Sequence, residues 1–339
     1  MIRMTTVGSL MGMGQNDLAA FDKAILITGG YGGIGAEAAR LLHATHPDAL
    51  IIVAGRNANK AQAFAASCPP NVAGAKLDLA SLPDVGRFAL EYNVLVSTGV
   101  VPPLSALICN AGTQAGPGEM RVSEDGFEET FAVNHLAHMH LTLALLPSFA
   151  NRARLIVVSS GTHDPNTMEG RFNKPILRNA SVLANPLDPQ TRNTNAIVRY
   201  STSKLCNLLF AYEFARRAHD LAPNKVIDVL TYDPGGVPGS DLMRNINPLT
   251  KRILTAPWLM RLLRVTTRTP KDAGRYLAAL LTQDVDHEPA YWQGPNRSRS
   301  SKTSLDPEHA RALWDGSETL IQKALRLKDQ DGSKNFLDP

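Results

Sequence analysis

The chain has 339 residues, 44% of them hydrophobic and 19% charged, with a net charge of +4 at pH 7. That balance describes an ordinary globular protein, too weakly basic to imply a nucleic-acid partner, and no apolar run is long enough for a membrane span. Three cysteines, Cys68, Cys109 and Cys206, lack disulfide or metal-ligand spacing, as expected for a cytoplasmic protein.

Residues 1–22 read as a flexible leader, with no apolar signal-peptide core among the first twenty. The apolar run Ala24-Ile25-Leu26-Ile27 then enters Thr28-Gly29-Gly30-Tyr31-Gly32-Gly33-Ile34-Gly35, and helical spacing follows over Ala36 to Leu42. Strand, glycine-rich turn and helix set free backbone N–H groups against a phosphate. Glycine is needed because a Cβ would hold the pyrophosphate away. A bound dinucleotide is expected here, with Gly29, Gly33, Ile34 and Gly35 in the turn.

Strand and helix patterns alternate from there. Leu50 to Ala54 reads as a strand and Asn57 to Ala66 as a helix. Val72 to Leu77 is a strand ending at Asp78-Leu79, and Ser81 caps a helix through about Glu91. Leu104 to Cys109 is a strand ending at Asn110-Ala111-Gly112, followed by a helix from about Phe127 to Leu146. Arg154 to Val158 is a strand ending at Ser159-Ser160, Tyr200 to Ala218 a helix, and Val226 to Leu230 a strand. Continuous apolar strands between helices predict one α/β domain over residues 23–330, a Rossmann-type doubly wound parallel sheet of about seven strands.

Two stretches break the rhythm. Residues 161–199 form a long insert rich in Pro, Asn, Asp and Thr, and such loops beside strand ends carry function. Residues 236–265 read as a substrate lid. Leu249 to Leu263 mixes apolar and basic residues, which leaves peripheral membrane contact open, but Pro257 interrupts the helix and favours the lid. Ala290-Tyr291-Trp292 is a last short strand, Pro307 to Leu327 a closing helix, and 331–339 a tail.

Tyr200 and Lys204, four residues apart, share one helical face. A nearby ammonium favours phenolate and lowers a tyrosine pKa from its reference of about 10, toward proton exchange with a substrate. Alone, the pair more often marks a packed tyrosine and a solvated lysine. Its companions give it weight, since the glycine turn, Asn110-Ala111-Gly112 and Ser159-Ser160 all sit at C-terminal strand ends, where open α/β sheets bind ligands. His135, His138 and His140 lack an accompanying carboxylate, and only the first two share a face, so core histidines rather than metal ligands are expected. Arg297 to Lys302 reads as a solvated basic loop.

This set, in this order, resembles the short-chain dehydrogenase/reductase family. Ala54-Gly55-Arg56-Asn57, Val133 to His138, the insert, Tyr200 to Asn207 (YSTSKLCN), Tyr291-Trp292 and Ala312-Leu313-Trp314 look like its branch containing retinol dehydrogenases and light-dependent protochlorophyllide reductases. The resemblance implies a tetrad of Asn134, Ser160, Tyr200 and Lys204. Tyr200 would exchange the substrate proton and Ser160 would hydrogen-bond the carbonyl oxygen. Lys204 would hold the nicotinamide ribose and lower the tyrosine pKa, and Asn134 would anchor a water in the relay. Asp78 and Leu79 would meet the adenine, Asn110 and Gly112 the adenosine side, and Pro234, Gly235 and Val237 the nicotinamide end. Gly239 stands where the family often carries a threonine, with Ser240 after it.

The second strand ends at Gly55-Arg56 without an acidic side chain, so Arg56 is expected to pair with a 2′-phosphate and the cofactor to be NADP(H). The expected activity is hydride transfer between nicotinamide and a carbonyl or alcohol of a sizeable apolar molecule, by a monomer or homodimer. One alternative is reduction of a C=C bond, as in the protochlorophyllide branch. Cys206 matches a cysteine linked to that chemistry, yet six helical residues turn it about 120° from Tyr200, so activity is expected in the dark. Another alternative, of a different class, is a non-catalytic NADP-binding sensor, which would have no use for a proton donor.

Overall fold

A computed structural model of the protein describes residues 18–237, 267–285 and 290–334, with side chains described as far as residue 327. Strand β1 (Lys23–Thr28) sends Ala24 and Leu26 into one core and Ile25 and Ile27 into the other. Strand β2 (Ala49–Gly55) repeats the division, with Leu50, Ile52 and Ala54 on one side and Ile51 and Val53 on the other. A strand buried on both faces is apolar throughout, which is why these runs show no alternation.

The remaining strands are β3 (Val72–Lys76), β4 (Leu104–Cys109), β5 (Phe149–Val158), β6 (Val226–Asp233), β7 (Ala290–Gln293) and β8 (Asn296–Ser298). They form one eight-stranded sheet in the order β3-β2-β1-β4-β5-β6-β7-β8, parallel except for the β7–β8 pairing. The direction of sheet growth reverses between β1 and β4, which opens a crevice at their C-terminal ends. Helices α1 (Gly33–Thr45), α2 (Ala58–Ala66) and a later helix, Pro270–Ala279, cover one face. The other face carries α3 (Leu82–Ser97), then α4, which joins Glu129–Phe131, a π-helical turn Ala132–Leu136 and Ala137–Ala144.

Residues 161–199 are not a plain loop. They hold a 3₁₀ turn at Gly161–His163 and the short helices α5 (Met168–Phe172), α6 (Ala180–Ala184) and α7 (Pro189–Arg192). The helix carrying Tyr200 is α8 (Ala196–Leu221), and it starts a full turn earlier than expected because Asn195 caps the N–H of Val198. Helix α9 is Pro270–Ala279 and α10 is Pro307–Lys334. α10 lies on α8, with Trp314 stacked on Phe210 at 6.0 Å.

Further details differ from the sequence reading. Helix α10 extends to Lys334, so 331–334 are helical rather than tail. The sheet has eight strands where about seven are expected, the last being β8, a short exposed hairpin partner at the basic stretch after Gly294. Helix α4 is broken by its π turn. The leader up to residue 17, the lid from 238 to 265 and the last residues of the tail lie outside the described residues. Among the described residues no helix is long and apolar enough to cross a membrane.

Candidate active site

The glycine turn is built by close approach. Gly29 has φ +65°, and a Cβ at Gly35 would lie 2.6 Å from both the Gly29 carbonyl oxygen and Asn110 Nδ2. Only glycine lets α1 start this close to the β4 loop. Gly32 at the N-cap brings no capping side chain and no acid occupies the first turn, so the first N–H groups of α1 stay available to an anion. Ile34 follows Gly33, whose φ is +51°. This turn fits the phosphates of a dinucleotide.

Thr28 ties the turn to its neighbours. Its Oγ1 accepts from the N–H groups of Asn110 and Ala111, each at 3.0 Å, and lies 2.9 Å from His138 Nε2. His138 Nδ1 faces the Asn134 carbonyl at 3.0 Å. A carbonyl only accepts, so Nδ1 carries the proton and Nε2 takes the Thr28 hydroxyl proton. Burial pushes His138 down to about 4, which keeps it in that neutral form. The chain of bonds fixes the backbone on which Asn134 sits. Its carboxamide is held as well, accepting from Thr113 N at 2.7 Å and donating to Thr113 O at 3.0 Å and to Ser203 Oγ at 2.9 Å.

Tyr200 and Lys204 come from α8 and Ser160 from the end of β5, and all three meet at the C-terminal edge. Ser160 lies close enough to the Tyr200 phenol to pull its pKa down, and accepts from Thr162 N at 3.3 Å. Lys204 Nζ donates to Val158 O at 3.0 Å and stands 5.6 Å from the Tyr200 ring centroid. Gly112 closes the group, since a Cβ there would be 3.4 Å from both Asn134 Oδ1 and Lys204 Nζ.

The electrostatics depart from the simple ammonium–phenol picture. Burial pushes the Tyr200 phenol up, the Asp233 carboxylate pushes it further, and the Ser160 hydrogen bond pulls it back. Lys204, whose Nζ donates to Val158 O, adds no comparable pull on the phenol. Burial pushes Lys204 down to about 8, against the raising fields of Cys109 and Asp233. Asp233 is fully buried and was not anticipated as a site residue. Its Oδ2 accepts from Tyr291 Oη at 3.1 Å and Gln293 Nε2 at 3.2 Å, and its Oδ1 accepts from Gly235 N at 2.8 Å.

The other expected residues lie along the same edge. Arg56 is exposed after β2, while Asp78 follows β3 and accepts from Ala80 N at 2.9 Å, beside buried Leu79. Asn110 donates to Thr28 O at 2.9 Å, and Pro234, Gly235 and buried Val237 follow β6. A second unanticipated feature flanks them. Arg199, beside Tyr200, pairs with Glu128 at 3.1 Å, with side chains 8% and 1% exposed. Residue type alone gave no signal for this pair, nor for Thr28. His135 and His138 are buried in hydrogen-bonded positions, and among the described residues no cluster of His, Cys, Asp or Glu could hold a metal.

Comparison with known proteins agrees with this architecture. The profile of the family described as short chain dehydrogenase matches residues 23–169. The chain is 36% identical to the WW domain-containing oxidoreductase of Drosophila melanogaster, over 88% of this chain and 68% of that protein. It is 31% identical to protochlorophyllide reductase A of Oryza sativa subsp. japonica, over 88% of this chain and 80% of that protein. Among solved structures, the angucycline C-6 ketoreductase LanV with bound NADP superposes with a TM-score of 0.58. At 22% identity, over 85% of this chain and 98% of that one, this likeness speaks for the fold. With that fold and the matched sequence of its relatives, the chain belongs to the short-chain dehydrogenase/reductase family of oxidoreductases.

Proposed function

We propose that this protein is an NADP(H)-dependent oxidoreductase that moves a hydride between nicotinamide and a carbonyl or alcohol carbon of a sizeable apolar molecule. The observation that carries the reading is the buried Tyr200 phenol, beside Ser160 and flanked by Lys204, next to the glycine turn. NADPH, when bound, supplies the hydride. Tyr200 gives its hydroxyl proton to the carbonyl oxygen while Ser160 donates a hydrogen bond to the same oxygen. Lys204, at about 8, then returns a proton to the phenolate near neutral pH and holds the nicotinamide ribose. Asn134 fixes the Thr113 loop beside Lys204 and anchors a water for the relay. Asp78, Leu79, Asn110 and Gly112 bind the adenosine side, and Pro234, Gly235 and Val237 the nicotinamide amide.

Arg56 and the lack of an acid at the end of β2 support NADP(H) over NAD(H). The rice protochlorophyllide reductase match supports a second reading, reduction of a C=C bond. Against a light-driven version stands Cys206, which is fully buried with its thiol pushed up by burial. A spectrophotometric screen of NADPH oxidation in the dark, across aliphatic, aromatic and polycyclic ketones, tests the reading. Turnover of a ketone is expected. Cofactor binding without oxidation across the panel would favour a non-catalytic sensor, and light-dependent pigment reduction the second reading.

A further inference from the structure

Tyr31 lies inside the glycine turn, and none of the roles above uses it. Its ring crosses the end of β2, where a Cβ at Gly55 would stand 2.7 Å from the ring and 2.8 Å from the hydroxyl. The hydroxyl accepts a hydrogen bond from Asn57 N at 3.2 Å, while the Asn57 side chain accepts from Lys60 N. A phenol has one proton to give as well as lone pairs to receive. Here the receiving side is engaged, and the proton has no acceptor among the described residues.

The end of the second strand is where this fold meets the adenosine ribose, and an acidic side chain there binds a 2′-hydroxyl and repels a 2′-phosphate. In this chain the Tyr31 ring fills the volume that an acidic side chain at position 55 would need. The hydroxyl sits at the same strand end as the exposed Arg56. Glu129 feels the field of Arg56, but its carboxylate is paired with Arg121 at 2.9 Å.

We infer that Tyr31 determines cofactor specificity, donating its hydroxyl proton to the 2′-phosphate and, by lying over Gly55, excluding a carboxylate from that place. The inference rests on the NADP(H) reading and assigns that preference a second residue.

Calorimetric titration of the purified full chain with adenosine 2′,5′-bisphosphate and with 5′-AMP separates the two. Tyr31→Phe keeps the ring and removes only the donor. Its affinity for the bisphosphate should fall on the order of tenfold, the loss of one hydrogen bond to a charged group, with 5′-AMP binding unchanged as a control for folding. Tyr31→Ala/Gly55→Asp, which clears the space and fills it with an acid, should reverse the preference toward 5′-AMP. If the unaltered chain prefers the bisphosphate and Tyr31→Phe keeps the same ratio, the role of Tyr31 is overturned while the NADP(H) reading stands. An unaltered chain that binds both ligands equally overturns both.

Discussion

At the scale of single residues, Tyr200 and Lys204 were legible because their spacing and their strand-end companions point to one edge of a sheet. Their electrostatics were not legible, since burial and a carboxylate remote in sequence, Asp233, set them. If Tyr200 is the proton donor, Tyr200→Phe should lower ketone turnover by about 10²–10⁴ while leaving NADPH affinity intact. Near-normal kcat in that variant would remove Tyr200 from the mechanism. Asp233 makes a second, signed prediction. Its charge holds the phenol proton on, against the Ser160 hydrogen bond. The charged and titratable groups around this pair include Lys204 from α8, Tyr232 from β6, Tyr291 from β7, and His163, Asp164 and Glu169 from the insert. Asp233→Asn keeps the shape and an acceptor for Gly235 N–H but removes the charge, so the phenol should release its proton more readily. The alkaline limb of ketone reduction and the acidic limb of alcohol oxidation should then both move to lower pH. Profiles that keep their position in this variant would show that Asp233 acts only through packing.

At the scale of elements, the strands and long helices were readable from apolar runs and caps, as at Ser81, whose hydroxyl accepts from Asp84 N at 3.4 Å. The π turn around Asn134 was not readable, because nothing in Ala132–Leu136 departs from ordinary helical composition. The clamp on the insert was equally hidden, since pairing of Glu128 with Arg199 spans 71 residues of chain. Arg199 also donates to the carbonyls of Thr194 and Glu119, Glu128 Oε2 accepts from Phe131 N at 2.8 Å, and Glu128 N donates to Ala184 O at 2.8 Å. The pair thus joins the insert, the start of α4 and the start of α8. Arg199→Met strands a buried carboxylate and should cost about 3–5 kcal/mol in urea unfolding. Adding Glu128→Gln removes the stranded charge yet keeps an oxygen for Phe131 N–H, so the double variant should regain a substantial part. Equal stability of the single and double variants would mean that the charge is not what holds these elements together.

At the scale of the whole molecule, two cores on either side of one sheet were foreseeable from β1 and β2, but their polar contents were not. Helix α10 folds back so that Ser317 meets His135 Nε2 at 2.8 Å, a contact between residues 182 apart in sequence. Such buried histidines give the folded state a pH dependence with a definite sign. Burial pushes His135 down to about 3 and His138 to about 4, from the usual 6.5, and lowers His140 and His163 as well. A group with a depressed folded pKa takes up its proton first in the unfolded chain. Below about pH 6.5 the unfolded state therefore binds more protons, and stability falls as pH falls, by at most about 1.4 kcal/mol per unit for each such site. Glu129 and Glu169, raised chiefly by burial, oppose this, but only as pH falls through their folded pKa values, above the usual 4.5. Urea midpoints measured from pH 7 down to about 5 should fall steadily with decreasing pH. His138→Gln removes one titrating site, so its slope should be shallower by about one proton even if its stability at pH 7 is lower. An unchanged slope in that variant would mean that His138 already carries its proton in the folded protein, and the neutral Thr28–His138–Asn134 chain of bonds would have to be redrawn.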